Sequence, residues 1–232
     1  MKLAISGTYS VGKTLTTLAV AHLTGLPRSS AMTMRELLPI SVPGKTLEEC
    51  TAAEILMLIM RRNQERAVNE SHHSEFVSDG SSLHEWCYGT VRVLLGINPN
   101  ESATLDSVER TEEIGFYESV IEQMGVPAKQ HAKSAYDVFV HLPIEFPLVA
   151  DGHRPVNERF RSLADELLLK TLEDLEIPTH IIGGSIPERL AGIIDVLGLT
   201  PRMDVDEAIE LARQDYALID TRSELERAAV RT

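Results

Sequence analysis

Short apolar runs alternate with longer amphipathic stretches along most of the chain. The apolar runs have the length of buried strands and lie at residues 2–6, 30–34, 75–78, 137–142 and 178–183. Apolar positions at helical spacing predict helices at residues 13–23, 47–69, 81–95, 107–124, 157–175 and 187–197. Because strands separated by helices favour a parallel sheet with helices on both faces, we predict a three-layer α/β fold with five parallel strands.

The C-terminal segment, residues 200–232, differs in pattern from the alternating domain of residues 1–199. Asp204 followed by Glu207 matches a capping box, which predicts a helix that continues to Arg213. A second helix is predicted from Ser223 onward. We expect a helical C-terminal extension that packs on the domain, and an arm that binds a partner is the alternative.

The charge balance of the chain argues against some classes of partner. The 232 residues include 22 Lys and Arg against 35 Asp and Glu, which gives a formal net charge of −13. Binders of duplex nucleic acid or anionic lipid usually present a basic face, so we expect neither a nucleic acid nor a membrane as partner. The N-terminal segment lacks the apolar run of a secretion signal, and the two cysteines form no metal or disulfide pattern. We therefore expect a cytoplasmic protein with buried thiols.

The strongest motif follows the first predicted strand. It matches the phosphate-loop pattern GxxxxGK followed by Ser or Thr, and its residues are Gly7, Thr8, Tyr9, Ser10, Val11, Gly12, Lys13 and Thr14. The backbone N–H groups of such a loop and the N-terminus of the next helix bind phosphate. Lys13 is expected to contact the β- and γ-phosphates, and the Thr14 hydroxyl is expected to bind Mg²⁺. The motif predicts a purine nucleoside triphosphate site without deciding between a kinase, an ATPase and a GTPase.

A carboxylate stands at the end of another predicted strand. The segment FVSD places Asp79 at the carboxyl edge of the sheet, where ligands bind in parallel α/β folds. Asp79 could act as a general base toward a substrate hydroxyl, or it could hold Mg²⁺ through water. A purely structural role, as a cap of the helix that begins near Ser81, is the third interpretation.

Residues 151–161 have the composition of a mobile lid, with Gly and Pro beside Arg154, Arg159 and Arg161. Arginines at such a place neutralise charge on a transferred phosphoryl group. The alternative is a solvated helix start, and Arg161 in particular is easily accommodated at the surface. Gly184, at the end of the last predicted strand, is a candidate contact of the adenine ring, although an ordinary turn has the same sequence.

These motifs together resemble the P-loop kinases of small metabolites and nucleosides, and most closely the AAA-type ATP-binding family that includes the nicotinamide riboside kinase domain of the bacterial NAD regulator. The resemblance covers about residues 1–197 and rests on GTYSVGKT, Gln64-Glu65, FVSDGSS and ADGHR. It implies ATP and Mg²⁺, phosphoryl transfer to a hydroxyl or phosphate acceptor, and the strand order 2-3-1-4-5.

The resemblance also implies roles for individual residues. Asp79 matches the strand-end Asp of the family, and Asp151 and Arg154 match its DGxR lid. Family members usually have Arg where this chain has Gly80, so the acceptor contact of that Arg needs a substitute. The candidates for this substitute are Arg35 and Arg92.

The expected acceptor site lies beyond Asp79. Trp86 and Tyr88 follow it by one to two helical turns and could stack on a planar acceptor, while positions in the core are an equally good interpretation. Arg35 and Glu36 follow the second predicted strand and are candidate acceptor contacts, or else a surface pair.

The sequence thus predicts an ATP- and Mg²⁺-dependent kinase that phosphorylates a hydroxyl of a small nucleoside-like or related metabolite. Lys13, Asp79 and Arg154 are its predicted catalytic residues, with Arg159 as a further nucleotide contact. A nucleoside monophosphate kinase of the thymidylate type is one alternative. A regulatory ATPase or nucleotide-binding switch that acts through a protein partner is the other. The oligomeric state is left open, with a homodimer as one option.

Overall fold

Five strands form a single parallel sheet in the computed structural model, which describes residues 1–99, 104, 109–148 and 157–219 apart from the side chain of Arg35. The strands are β1 (Lys2–Ser6), β2 (Arg28–Ser29), β3 (Phe76–Asp79), β4 (Val138–His141) and β5 (Thr179–Ile181). Their order in the sheet is β2-β3-β1-β4-β5, and all neighbours are parallel. The predicted three-layer fold and strand order are therefore confirmed.

Helices precede, connect and follow the strands on both faces of the sheet. Those described are α1 (Lys13–Thr24), α2 (Met34–Ser41), α3 (Ala52–Ser71), α4 (Ser82–Leu95), α5 (Glu112–Ala135), α6 (Glu158–Asp174), α7 (Ile186–Leu197) and α8 (Val205–Leu218). The bounds of α1, α4, α6 and α7 agree with the predicted bounds to within one residue at each end.

The strands place alternate side chains in two buried layers, as the period of a β-strand requires. On one face, Ala4, Phe76 and Phe139 pack in one apolar cluster with side chains of α2 to α6. On the other face, Leu3 and Ile5 pack in a second cluster with side chains of α1, α7 and α8. Because both faces are covered, the carboxyl edge of the strands is the place where a ligand can approach the sheet.

Helix α8 belongs to the second of these layers. Ala208, Ile209 and Ala212 are buried against α1 and α7. The described part of the C-terminal segment therefore packs on the domain. The helix predicted from Ser223 lies outside the described residues, and the boundary between domain and extension stays a prediction.

The second predicted strand is wrong. The strand lies earlier, at Arg28–Ser29, and residues 34–41 form α2 instead. Thr33 and Glu36 make a capping box, in which the Glu36 amide donates to Thr33 Oγ1 and the Thr33 amide donates to the Glu36 carboxylate at 2.7 Å. This cap starts a helix in a segment where the apolar run favoured a strand.

The long helix predicted from residue 47 is interrupted. A 3-10 turn at Leu47–Glu49 comes first, and α3 begins anew after Thr51, whose hydroxyl accepts from the Glu54 amide. Consecutive capping boxes at Thr46 and Thr51 thus divide what the helical spacing of apolar residues had suggested was one helix.

Helix α5 also differs from its prediction, because it begins at Glu112 and continues past Met124 to Ala135. Pro127 lies inside it. A proline removes one helical hydrogen bond, but α5 buries a continuous apolar face on both sides of Pro127, and this burial maintains the helix.

Both cysteine side chains, Cys50 and Cys87, are buried thiols as expected, and burial raises the pKa of the Cys87 thiol. Across the described residues, no helix is both long and apolar enough to cross a bilayer. The same residues contain no group of three or more acidic, His or Cys side chains arranged to hold a metal ion.

Candidate functional site

The loop between β1 and α1 curls tightly at the carboxyl edge of the sheet. Gly7, Ser10 and Gly12 have positive φ angles of 129°, 62° and 88°. A Cβ at Gly7 would lie 2.6 Å from the carbonyl oxygen of Leu142, so this position requires glycine. Left-handed residues in such a loop group backbone N–H donors into a concavity that suits an anion.

Helix α1 begins directly after this loop, at Lys13. Its N-cap residue Gly12 has no side chain to satisfy the first amides, and its first turn carries no acidic residue. Every other α-helix in the described ranges has at least one acidic residue in its first turn. The partial positive charge of the α1 N-terminus is therefore not neutralised by its own first turn, which is the electrostatics of a phosphate-binding terminus.

Arg189 of α7 braces the loop from behind. Its side chain is 1% exposed, and its Nη1 donates to the Val11 carbonyl at 2.7 Å. Its Nη2 donates to Glu145 at 2.9 Å. A Cβ on Gly12 would lie 3.1 Å from Arg189 Nη1, so a side chain at Gly12 would crowd this brace.

Polar side chains of the motif line the same loop. The Lys13 ammonium donates to the Thr8 carbonyl, so it lies across the loop. Thr8 Oγ1 is buried and has no hydrogen-bond partner in the described ranges, and Thr14 is half-buried in the first turn of α1. A buried hydroxyl without a partner is costly unless a ligand satisfies it, so these residues fit a bound Mg²⁺–triphosphate.

Asp79 is the last residue of β3 and lies opposite Ile5 in the neighbouring strand β1. The backbone turns immediately after it, because Gly80 has a φ of 82° and donates its N–H to the Ile5 carbonyl at 3.0 Å. The arginine that the family usually has at Gly80 would be strained in this conformation. Asp79 therefore stands at the carboxyl edge, beside the strand that leads into the phosphate loop.

Arg66 of α3 fixes the end of β3. Its side chain is 2% exposed, its Nη2 donates to the Asp79 carbonyl at 3.0 Å, and its Nη1 donates to Ser78 Oγ at 2.9 Å. Glu70 completes the network by accepting from Ser78 Oγ at 2.6 Å and from the Tyr136 hydroxyl at 2.8 Å. Burial and the neighbouring Glu70 carboxylate raise the pKa of Tyr136, so its hydroxyl stays a donor. This network ties α3, β3 and the residue after α5 together behind Asp79.

Arg161 was predicted to lie in the lid, with a surface position as the alternative. A surface position is wrong, because the side chain is 0% exposed in the first turns of α6. Within the described part of the chain, its Nε, Nη1 and Nη2 atoms lack a hydrogen-bond partner, and its ion pair with Glu158 Oε2 is 3.6 Å long and largely exposed on the Glu158 side. A buried guanidinium that makes so few polar contacts is costly, and a bound anion would offset this cost.

The position of Arg161 follows from its helix. Asp165, one turn later on the same face, has Oδ1 3.4 Å from His141 Nε2. The His141 ring in turn lies 3.4 Å from Ser6 Oγ, where β1 enters the phosphate loop. Phe160 packs on the loop residue Tyr9, with ring centroids 6.1 Å apart. Arg161 therefore lies on the face of α6 that meets the carboxyl edge, and its four-residue spacing from Asp165 is the signal that could have indicated this.

The two predicted aromatic acceptor contacts have different surroundings. Tyr88 is half-buried, and its ring lies 5.8 Å from Tyr9 and 6.3 Å from Phe160 by centroid. Trp86 is 7% exposed and packs in the core against α5, with Lys129 Nζ 4.3 Å from its ring centroid. Only Tyr88 is thus in contact with the phosphate loop.

Two of the three polar acceptor candidates, Glu36 and Arg92, form contacts within the fold. Glu36 caps α2 through Thr33, as described above. Arg92 is buried on α4 and donates to the Ile97 carbonyl, and burial lowers the pKa of its guanidinium. The side chain of Arg35 lies outside what the structure describes. No acceptor contact of these three residues has been tested, and their roles stay predictions.

The turn between β5 and α7 is closed by a carboxylate. The Gly184 amide donates to both oxygens of Glu145 at 2.9 Å. The Ser185 amide and hydroxyl donate to Glu188 at 2.7 and 2.6 Å. The hydrogen bond from Gly184, and then Arg189, lower the pKa of Glu145. The contact of Gly184 with an adenine ring stays a prediction, and its N–H is already used.

The first part of the predicted lid, residues 151–156 with Asp151 and Arg154, lies outside the described residues. Of its second part, Arg159 is exposed on α6.

The parallel sheet, the glycine-rich loop and the uncapped α1 terminus define a P-loop domain. The chain belongs to the family of the AAA domain, whose model matches residues 2–189. It is also similar to a solved structure of deoxyadenosine kinase from M. mycoides with the products dCMP and a flexible dCDP bound. That match has 13% identity and a TM-score of 0.48, and it covers 95% of this chain and 100% of the other. A comparison with curated proteins gives no match.

Proposed function

We propose that the protein is an ATP- and Mg²⁺-dependent kinase that transfers the γ-phosphoryl group to a hydroxyl of a small nucleoside-like or related metabolite. The observation that carries this proposal is the convergence of three features at one edge of the sheet. These are the uncapped loop before Lys13, the carboxylate of Asp79, and the buried, uncompensated guanidinium of Arg161. A cradle for anions, a candidate base and a spare buried cation are what phosphoryl transfer requires.

The phosphate loop would bind the triphosphate. Backbone amides from Gly7 to Thr14 and the α1 terminus would hold its oxygens. Lys13 would exchange its contact with the Thr8 carbonyl for the β- and γ-phosphates. Mg²⁺, held by the Thr14 hydroxyl, would neutralise charge on the β- and γ-oxygens.

Asp79 would act on the acceptor. Its carboxylate would orient the acceptor hydroxyl and take its proton as the new oxygen–phosphorus bond forms and the bond to the departing ADP oxygen breaks. The Arg66 hydrogen bond to the Asp79 carbonyl would keep that carboxylate in place. A role of Asp79 in the shell of Mg²⁺ is the alternative assignment, and the substitution described in the Discussion separates the two.

Arg161 would stabilise the transferred group, because its guanidinium is buried and lacks a hydrogen-bond partner among the described residues. Arg154 and Arg159 would add charge from the lid when it closes. Tyr88, through its contact with the phosphate loop, is the better supported of the aromatic contacts for a planar acceptor, and Trp86, Arg35 and Glu36 complete the proposed acceptor site. We further propose a small-molecule partner and a cytoplasmic location.

Mass spectrometry tests this function directly. The purified protein is incubated with Mg·ATP and a pooled panel of nucleosides and related hydroxyl metabolites, and products are sought that gain one phosphoryl group. Lys13→Ala should remove the product, and Lys170→Ala should not, because Lys170 is exposed on α6 and paired only with Asp174. Phosphorylation of monophosphates alone would favour the nucleotide kinase, and ATP hydrolysis with no phosphorylated metabolite would favour the regulatory ATPase.

A further inference from the structure

His84 is a buried histidine whose tautomer is fixed by its hydrogen bond. It is the third residue of α4, and its Nδ1 accepts from the Ser81 amide at 2.9 Å. A backbone N–H can only donate, so Nδ1 carries no proton and the proton of the neutral ring is on Nε2. His84 thus takes the place that Glu or Gln usually has in a capping box.

Among the described residues, the Nε2–H of His84 has no hydrogen-bond partner, although the side chain is only 4% exposed. A buried donor that makes no hydrogen bond is costly, and such groups are rare unless a ligand or water satisfies them. This donor therefore adds to the unsatisfied groups of Thr8 and Arg161 near the carboxyl edge, and it lies on a different element from both.

The ring lies between the end of β3 and Tyr88, whose ring centroid is 6.4 Å away. A Cβ at Gly80, the residue after Asp79, would lie 3.6 Å from His84 Nδ1. Burial, and then the nearby charges of Lys13 and Arg66, lower the pKa of His84 well below its usual value. The ring therefore stays neutral near Lys13, the residue proposed to contact the β- and γ-phosphates.

The choice of histidine at this cap differs from the other caps of the fold. The boxes of α2, α3 and α7 use Glu36, Glu54 and Glu188. A glutamate at position 84 would place a negative charge beside the phosphate loop, which would repel a triphosphate. A neutral histidine caps the helix and presents a donor where Glu presents only acceptors.

We propose that His84 Nε2–H donates a hydrogen bond to an oxygen of the γ-phosphoryl group at the end of the phosphate loop. The proposal rests on the proposed function, since it assumes a triphosphate in that loop. In this arrangement, His84 on α4 is an uncharged donor that acts together with the cations Lys13 of the loop and Arg161 of α6. A donor aimed at charge that develops during transfer lowers the barrier, and it needs no change of protonation to do so.

Nitrogen-15 NMR of the full chain with labelled histidine gives a readout that does not depend on turnover. The Nε2–H resonance of His84, assigned by its loss in His84→Leu, should shift downfield with Mg·AMPPNP and should shift much less with Mg·ADP, which has no γ-phosphate. The neutral tautomer should persist in both complexes.

Binding to two variants separates the donor from the cap. His84→Leu removes both, and it should weaken Mg·AMPPNP about tenfold or more relative to Mg·ADP, because a hydrogen bond to a charged group is lost. Ser81→Ala removes the hydroxyl, which accepts from the Leu83 amide at 3.3 Å and donates to His84 Nδ1 at 3.0 Å, and it keeps the backbone donor to Nδ1 at 2.9 Å. It should lower stability and leave the ratio of the two affinities unchanged.

The outcomes distinguish this inference from the proposed function. If Mg·AMPPNP binds, and Lys13→Ala weakens it, but neither the His84 resonance nor the affinity ratio changes, His84 is only a cap and the inference is overturned alone. If Mg·AMPPNP does not bind at all, the proposed function fails and the inference fails with it. A γ-phosphate-dependent shift together with a selective loss in His84→Leu supports the inference.

Discussion

Two strand-to-helix turns at the same edge of the sheet have opposite electrostatics. Each follows a parallel strand and contains glycine with positive φ, at Gly7 and Gly12 before α1 and at Gly184 before α7. The α7 turn is filled by carboxylates, because Glu145 accepts from Gly184 and Glu188 accepts from Ser185. The α1 turn has neither a capping side chain nor an acidic first turn among the described residues.

The difference shows that a helix N-terminus can bind an anion when no capping or acidic side chain neutralises it. Both termini carry the same partial positive charge. At α7 the chain neutralises this charge with its own side chains, whereas at α1 Gly12 leaves the first amides to a ligand. Arg189 connects the two turns by donating to the Val11 carbonyl of one and to Glu145 of the other. The predictions below test whether the α1 turn, with the groups around it, works as this comparison requires.

The largest effect is expected from Asp79→Asn, which removes the proposed base at nearly constant volume. Phosphoryl transfer should fall by about 10² to 10⁴, the usual range for general-base catalysis, while the affinity for Mg·ATP changes little. Steady-state kinetics and calorimetric titration measure the two quantities separately.

The control for this substitution is Asp174→Asn, which removes an exposed carboxylate from α6 without approaching the carboxyl edge. It should retain full activity. A loss of Mg·ATP affinity in Asp79→Asn that parallels the loss of turnover would assign Asp79 to the shell of the metal instead.

Arg161→Met should have effects of opposite sign on stability and on binding. Replacing a buried, poorly compensated charge with an apolar chain should raise the stability of the ligand-free protein, by on the order of 1 to 4 kcal/mol. The same change should weaken Mg·ATP about tenfold, because a charge-assisted contact is lost. Thermal unfolding with and without Mg·ATP measures both effects.

The matched variant is Arg213→Met on α8, where the arginine is exposed and 3.9 Å from Glu210. Neither its stability nor its nucleotide affinity should change appreciably. If Arg161→Met is instead less stable and binds Mg·ATP normally, Arg161 is a structural residue and the α6 face does not belong to the site.

Local sequence signals predicted the parts of the fold that depend on them. The phosphate-loop motif gave the bounds of β1 and α1, and the strand that ends at Asp79 was placed correctly. The structure explains the two glycines of this motif, because Gly7 and Gly12 have positive φ and a Cβ at either would be crowded. The capping boxes at Thr33 and Thr51 are equally local signals, and they mark the starts of α2 and α3. The periodicity of the apolar residues in these segments instead favoured a strand and a longer helix.

Tertiary contacts determined what periodicity did not predict. The helix predicted to end at Met124 continues as α5 to Ala135, and Trp86 packs on Gly125 so closely that a Cβ there would lie 2.6 Å from its Nε1. Arg161 was predicted to lie in the lid or, alternatively, at the surface, because a charged residue is usually solvated. Its burial depends on how α6 meets β4, which one sequence does not reveal.

The smallest effect concerns the closed turn. Because the hydrogen bond from Gly184 holds the pKa of Glu145 below that of an ordinary glutamate, this bond should be intact at neutral pH and be lost as the pH falls through the lowered pKa. In nitrogen-15 correlation spectra, the Gly184 amide should titrate with a midpoint below the ordinary pKa of a glutamate.

Glu145→Gln is the control, since it removes this titration and keeps a neutral acceptor. Activity at neutral pH should change only slightly, because the α7 turn is not the proposed phosphate site. If the Gly184 amide does not respond to acid in the wild-type protein, the carboxylate does not close this turn in solution.

Calorimetric titration of Mg·AMPPNP into the wild-type protein and Lys13→Ala tests most directly that the α1 turn is the phosphate site. The measurement needs no knowledge of the acceptor. The wild-type protein should bind one nucleotide per chain, Lys13→Ala should lose about tenfold or more in affinity while unfolding at a similar temperature, and the exposed-site variant Lys170→Ala should bind normally. Equal affinity in the wild-type protein and folded Lys13→Ala, or no binding to either, would contradict the account.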